Sequence, residues 1–400
     1  MERKIVLKGF IIMLSEIYRY IMVKFVFFCN FIFKRKNIKP KDFKNVLLIH
    51  NQLIGDVLTA TPFIREFRKK FPEAVITMVV SGVGFEILKK SPYINDFIIF
   101  EEQFLSFRDF RNKYAKLTAE IKKRKPDLVI DFQMSFLYFT RLLIGLKSGA
   151  RNRVSFKRGG FRGFLPTYEV ELNAEHLVLQ YLSLLCAFDI KEDKNNMEVH
   201  FDNDDLRWVD EFFKEKNINP ENFTVAVHPG NKNPLKKWKN ENFAKLIDYL
   251  MIDKKFNVIL LGSADDKADI EEIINLAGSK PINSAGLTTL TRLSALISRL
   301  NLLISIDTSS IHIASALDIS TIGLYGPTDM LYWSAWNRKK QICISNKVIC
   351  KPCEDNDQNI ILSRIKCAQP DNICMSSISV SQVIDEVEKI ASETEIKKHI

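Results

Sequence analysis

The chain has 400 residues, 46% of them hydrophobic, 26% charged and 11% aromatic, with 15 Gly, 13 Pro and a net charge of +10. This mix excludes a disordered chain, a collagen-like chain and a polytopic membrane protein, and seven Cys at this length do not make a disulfide-framed secreted domain. The length allows two or three domains at about 100–200 residues each, with a core that needs no covalent staples.

The charge is unevenly placed. Residues 1–44 hold 11 Lys/Arg against three Asp/Glu, so this arm carries +8 and the other 356 residues only +2. The high pI therefore belongs to a tail, and no nucleic acid is expected as a partner. Residues 5–33 are mostly apolar and aromatic, and a basic cluster follows at Lys34, Arg35, Lys36, Lys39, Lys41 and Lys44. Glu16, Arg19 and Lys24 interrupt the ~18–20 apolar residues that a span requires. No small-residue cleavage site marks a signal peptide. On a helical wheel Lys8, Glu16, Arg19 and Asn30 share one narrow polar sector. That suits an amphipathic helix lying in a membrane interface, its basic cluster on anionic headgroups. A helix packed on the body and a true span are the alternatives.

Beyond the arm, β and α patterns alternate. Short apolar runs predict strands at 46–50, 74–80, 97–100, 128–131 and 154–156, with helices over 56–70, 110–125 and 175–187. A charged stretch, 189–222, reads as a linker with one helix near 206–214. A second series follows. It has strands at 224–228, 257–261, 302–306 and 321–325, and helices at 242–251, 266–276, 289–298 and after Asp307. The class is α/β: two tandem units, each a parallel sheet covered on both faces, with the ligand site expected in the cleft between them.

Four loops at strand ends carry chemistry. In His50-Asn51-Gln52-Leu53-Ile54-Gly55-Asp56, Gly55 permits close approach, and Asp56 is either a helix N-cap or a functional carboxylate. His228-Pro229-Gly230 precedes Lys236-Lys237-Trp238, and a lysine there suits a diphosphate. In Leu261-Gly262-Ser263-Ala264-Asp265, the carboxylate of Asp265 suits two ribose hydroxyls or caps the next helix. Asp307-Thr308-Ser309-Ser310-Ile311-His312 joins a strand to a helix start, where free amides and the helix dipole favour a phosphate. The dinucleotide fingerprint and the P-loop pattern are both absent after the first strand, which disfavours a dinucleotide oxidoreductase.

Taken in order, Ile54-Gly55-Asp56-Val57 with Thr61-Pro62, His228-Pro229-Gly230, Lys236-x-Trp238, Asp307-Thr308 through His312, and Tyr325-Gly326-Pro327-Thr328-Asp329 resemble glycosyltransferase family 9, the bacterial heptosyltransferase family, over about residues 45–385. The resemblance implies a GT-B fold: two Rossmann-like domains with parallel sheets facing a central cleft. It implies an inverting transfer, without metal or other cofactor, from a nucleotide diphosphate sugar such as ADP-heptose. The acceptor would be a lipid-linked saccharide such as a lipopolysaccharide core, at the cytoplasmic face of the inner membrane. By the same resemblance Asp56 is the general base and Lys236 binds the diphosphate. Asp265 takes the ribose, and Gly286 and Thr288 lie by the base. Asp307, Thr308, Ser309, Ser310 and His312 line the phosphate and sugar pocket. Ser309 stands where the family usually carries Gly. Alternatives are another GT-B enzyme using a UDP-sugar (a polysaccharide transferase or an epimerase) and a non-catalytic nucleotide-binding scaffold.

This reading divides the chain into the arm, 1–44; an acceptor domain, 45–200; a linker and helix, 201–222; a nucleotide-sugar domain, 223–385; and a polar tail, 386–400. Arg158 and Arg162, in the Gly-rich basic segment 158–163, are expected to reach acceptor phosphates, unless that loop is merely flexible. Asp202-x-Asp204 and Asp355-x-Asp357 read as solvated loops rather than metal carboxylates. Cys350, Cys353, Cys367 and Cys374 read as reduced thiols, with zinc ligation the alternative.

Overall fold

The computed structural model describes residues 43–101, 106–132, 145, 147–157, 166–173, 176–336, 340–348, 350, 367 and 369–398. The N-terminal arm up to residue 42, Arg158, Arg162, Cys353, Asp355 and Asp357 lie outside the described residues.

The first half contains β1 (Asn45–Ile49), α1 (Ile54–Thr59), α2 (Thr61–Lys70), β2 (Val75–Val80), α3 (Gly82–Leu88), β3 (Asp96–Ile99), α4 (Phe107–Lys123), β4 (Leu128–Asp131), β5 (Asn152–Phe156), β6 (Tyr168–Val170) and α5 (Leu177–Leu182). Its strands form one parallel sheet in the order β3-β2-β1-β4-β5-β6. The second half contains α6 (Asn203–Glu215), β7 (Thr224–His228), α7 (Asn240–Asp248), β8 (Asn257–Leu260), α8 (Lys267–Leu276), β9 (Ile282–Asn283), α9 (Leu290–Ile297), β10 (Leu302–Ile306), α10 (Ser309–Ala316), β11 (Ser320–Leu324), α11 (Met330–Trp333), β12 (Gln341–Ile344), α12 (Ile373–Ser376) and α13 (Val380–Lys398). These strands form a second parallel sheet, β12-β11-β10-β7-β8-β9. Both orders are doubly wound, so each sheet reverses direction once: between β1 and β4, and between β10 and β7.

Strand alternation sets the layers. Leu47 and Ile49 of β1 pack with Val79, Val129 and the α4 residues Leu117 and Ile121 on one face. Val46 and Leu48 face the other way, onto a core with Phe63 and Phe67 of α2 and Phe188. The helix expected over 56–70 is two helices. Pro62 stands in the first turn of α2, where its missing N–H is harmless, and the hydroxyl of Thr61 donates to the carbonyl of Leu58 at 2.6 Å.

Two expectations are corrected. Asp202 and Asp204 are not in a solvated loop. The Asp202 carboxylate accepts the amides of Asp204 and Asp205, and with Asp205 it forms a capping box that starts α6. Residues 386–398 are not a polar tail. They continue α13, in which Val383, Val387, Ile390 and Ala391 are buried, and Glu388 binds Lys254 at 2.8 Å.

Side chains of both halves tie the sheets together. Asp205 accepts Lys90 of the first half at 2.6 Å and the hydroxyl of Thr291 in α9 at 3.0 Å. Arg65, buried in α2, binds Glu66 at 2.9 Å, Glu198 at 2.6 Å and the carbonyl of Asn196 at 2.8 Å. The connecting strand of chain is thereby strapped to the first domain. Among the described residues no helix is long and apolar enough to cross a membrane.

Candidate active site

On the first domain the site starts at the end of β1. His50 is buried, stacked on Phe132 at 5.1 Å and edge-on to Tyr181 at 5.0 Å. Its Nε2 lies 2.9 Å from the main-chain carbonyl of Asp56, which also accepts the Thr59 hydroxyl at 2.7 Å. A carbonyl only accepts, so Nε2 carries the proton. His50 thereby fixes the turn that presents Asp56. Asp56 is not the helix N-cap. Leu53 occupies that position, and the half-buried Asp56 lies in the first turn of α1, at its positive end.

On the second domain β7 and β10 are neighbours, and their carboxyl ends hold His228 and Asp307. Asp307 Oδ2 accepts Lys236 Nζ at 2.7 Å and the Thr328 hydroxyl at 2.5 Å. Asn231 donates to the Asp307 carbonyl at 2.7 Å. Lys236 is thus drawn from its short 3₁₀ turn, Pro234–Lys236, to the start of α10. Thr328 belongs to the Tyr325–Asp329 motif, which explains why that motif matters to the site.

Thr308 is the N-cap of α10, but its side chain makes no cap bond. It turns inward to Ser310 at 2.7 Å and Ser305 at 3.0 Å, and Ser310 in turn meets Nδ1 of His228 at 2.8 Å. The Ile311 amide donates to the Thr308 carbonyl at 3.2 Å, and the hydroxyl chain leaves the amides of Ser309 and Ser310 for an outside acceptor, an arrangement that suits an anion. Burial pulls His228 down to about 4, against the opposing charge of Asp266. Burial likewise pulls His312 down to about 4; Asp307 opposes this, and His176 and Lys236 add to it. Both rings are neutral at pH 7.

Asp265 is exposed, 3.6 Å from Lys232, and its neighbour does the capping: Asp266 accepts the amide and hydroxyl of Ser263 at 2.7 and 2.6 Å. A Cβ on Gly230 would lie 2.3 Å from the Asp266 carboxylate, so the glycine of the His-Pro-Gly motif makes room for this group. Gly286 has φ +71°, and a Cβ there would come 3.3 Å from Cα of Ala264. It therefore packs beside Asp265, at the same sheet edge, with Thr288 half-buried just beyond.

The domains meet over this site. The ring of His312 lies against Gly55. His176 accepts the Val178 amide on Nδ1 at 3.2 Å and donates from Nε2 to the Ser334 carbonyl of the other domain at 2.9 Å. It also packs on Trp336, 4.6 Å between ring centroids. The fold therefore brings together Asp56, Lys236, Asp307, Thr308, Ser309, Ser310 and His312. It sets Asp265, Gly286 and Thr288 along the adjoining edge. Sequence reasoning missed His50, His176, His228, Asp266 and Thr328 as site residues. His228 and Thr328 stood inside noted motifs, and Gly230 signalled a close neighbour. His176 carried no sequence signal.

Among the described residues no group of three or more His, Cys, Asp or Glu is arranged to hold a metal ion. Among the described residues Cys350, Cys367 and Cys374 are in no disulfide.

Two six-stranded parallel sheets, with their switch points facing one cleft, define a GT-B fold. The glycosyltransferase family 9 structure from Veillonella parvula has this fold, with a TM-score of 0.74 at 22% identity over 90% of this chain and 100% of that one. So has Escherichia coli heptosyltransferase WaaC with ADP, TM-score 0.61 at 16% identity over 86% and 99%. In sequence, lipopolysaccharide heptosyltransferase 3 of Escherichia coli strain K12 is 27% identical over 292 residues, 70% of this chain and 82% of the relative. Residues 114–361 match the model of glycosyltransferase family 9 (heptosyltransferase). The chain belongs to this family and is a glycosyltransferase.

Proposed function

We propose that the enzyme transfers a heptosyl group from a nucleotide diphosphate heptose to a saccharide acceptor of lipopolysaccharide type, in one displacement with inversion and without a metal. One observation carries the reading: Gly55, next to Asp56 on the first domain, lies against His312 of α10, the helix that follows the Lys236–Asp307 pair on the second. The names of the relatives support the choice of sugar and acceptor.

Asp56 takes the proton of the acceptor hydroxyl as its oxygen bonds to the anomeric carbon. The bond from that carbon to the diphosphate breaks, and its electron pair leaves with the nucleotide. Lys236 and the first amides of α10 meet the growing charge. The diphosphate is already a good leaving group, so no general acid is required. A glycosidase would need two facing carboxylates instead.

Asp265, Gly286 and Thr288 hold the nucleoside. Arg158 and Arg162 belong to the acceptor side. The arm, residues 1–44, binds the cytoplasmic face of the inner membrane.

The test is turnover of purified enzyme with a panel of nucleotide sugars and a core-oligosaccharide acceptor, with and without EDTA. ADP-heptose should be consumed at an unchanged rate in EDTA, giving the inverted anomer. Preference for a UDP-sugar would overturn the donor assignment. Loss of activity in EDTA, restored by Mg²⁺ or Mn²⁺, would overturn the metal-free mechanism.

A further inference from the structure

Outside the arm, α4 is the most positive of the described helices. Residues 107–125, which are α4 and the two residues after it, hold eight Lys/Arg against Asp109 and Glu120, a net +6. The remaining 337 residues of the chain, without arm or α4, carry −4. The outer helices of the second domain have the opposite sign: α6 is −3, and α8 and α13 are each −2.

Packing sorts α4 by face. Tyr114, Leu117, Thr118 and Ile121 are buried against the sheet. The solvent stripe holds Arg108, Arg111, Asn112, Ala115, Lys116, Ala119, Lys122 and Lys123, five cations and no acid. Lys113 is paired with Asp109 at 3.1 Å and Lys123 with Glu120 at 2.6 Å. Among the described residues, Arg108, Arg111, Lys116 and Lys122 have no carboxylate within ion-pair distance. Lys147 extends the patch, lying over the Tyr114 ring at 4.8 Å.

The helix also has a definite place. At its C-terminal end the Lys125 carbonyl accepts from Asn45 at 3.5 Å, and Asp127 accepts the Lys44 amide at 2.9 Å. The basic arm therefore joins the fold beside the last turn of α4. The N-terminal end of α4 follows β3, at the same sheet edge as Asp56. A helix of 17 residues is about 25 Å long, so its exposed stripe runs from the root of the arm to the mouth of the cleft.

We propose that this face of α4 is a docking surface for anionic lipid headgroups. Unpaired cations in a row, on the most positive of the described helices and beside the root of a positive arm, match a planar negative surface. The proposal shares with the arm reading only the nature of the partner, and its residues are separate from the arm and from the site.

Full-length protein is sedimented with phosphatidylcholine vesicles, with and without phosphatidylglycerol, at low and high salt. Three variants are compared with wild type. One is R108Q/R111Q/K116Q/K122Q. The second, K214Q/K245Q/K255Q/K280Q, removes the same charge from exposed second-domain positions. The third changes Lys34, Arg35, Lys36, Lys39, Lys41 and Lys44 to Gln. Each cation near an anionic surface contributes about fivefold in affinity. The α4 variant should therefore bind anionic vesicles at least ~10²-fold more weakly at low salt. Its melting temperature and its turnover of a soluble acceptor should be unchanged, and the second-domain variant should lose much less. Wild-type vesicle binding by the α4 variant, or equal loss in the second-domain variant, would overturn the proposal. So would wild-type protein that prefers RNA to vesicles and loses that preference in the α4 variant. The third variant reports on the arm alone, so either reading can fail without the other.

Discussion

A methyl group on Gly55 would lie 2.8 Å from Cδ2 of His312, although the two residues belong to different domains. This contact brings the turn holding Asp56 against α10 of the second domain. Gly55→Ala should hold the domains apart by a few tenths of an ångström or push the buried His312 ring aside. We expect kcat/KM to fall by ~10–10²-fold, the scale of a small misalignment of reacting groups. The melting temperature should fall as well, because the buried His312 ring or the domain contact must shift. Wild-type kcat/KM would show that catalysis does not use this approach.

Asp56→Asn keeps the shape of the turn, because His50 and Thr59 bind the main chain of Asp56. Donor affinity and stability should remain near wild type while kcat falls by at least ~10²-fold, as for a lost general base. Calorimetric titration of the nucleotide and steady-state kinetics separate the two effects. Near-normal turnover would leave Asp56 as a first-turn helix residue and no more.

Lys236 and Asp307 are coupled at 2.7 Å, so they should not behave independently. Lys236→Ala leaves the largely buried Asp307 carboxylate with Thr328 as its remaining charge-stabilising donor in this set, a change that costs about 2–5 kcal/mol for such pairs. Donor Kd should rise at least ~10-fold, and kcat should fall further, because charge on the diphosphate grows in the transition state. Adding Asp307→Asn should recover much of the lost stability and none of the turnover. Full recovery of turnover in the double variant would mean that Lys236 serves Asp307 and never the substrate.

The fold was legible because buried parallel strands read as short apolar runs, as in 46–50, 224–228 and 302–306. Elements held by packing rather than pattern were not. The short strands β6, β9 and β12 have two to four residues each, too few for any period, and α13 was hidden by its charged outer face. Asp56, Lys236 and the Asp307–His312 turn were legible because strand-end loops concentrate function. His50 and His176 were not, since each acts on a main-chain carbonyl that only the folded chain brings near.

The last expectation concerns acid stability. His228 and His312 are held down to about 4 in the folded protein, against 6.5 for an unburied histidine. The unfolded chain therefore binds more protons than the folded one between pH 6.5 and about 4. In that window stability falls as pH falls, while above pH 6.5 both states hold neutral rings and the contribution is complete. For His228 this amounts to about 3 kcal/mol across the window, and His312 acts in the same direction. Glu198 acts lower down. Burial works against its charge, but Arg65, bonded to it at 2.6 Å, with His200 and Tyr93 nearby, outweighs burial and holds it at about 2 rather than 4.5, so its contribution is lost between pH 4.5 and 2. His228→Asn is the discriminating variant. An asparagine still bonds to Ser310 but does not titrate, so the hydroxyl chain beneath α10 is kept. Urea unfolding at pH 7, 6 and 5 should show the wild-type midpoint dropping more steeply than that of the variant. Parallel curves for the two proteins would mean that His228 is protonated in the folded state. Its Nδ1 would then have to donate to Ser310, and the charge would have to be balanced by Asp266.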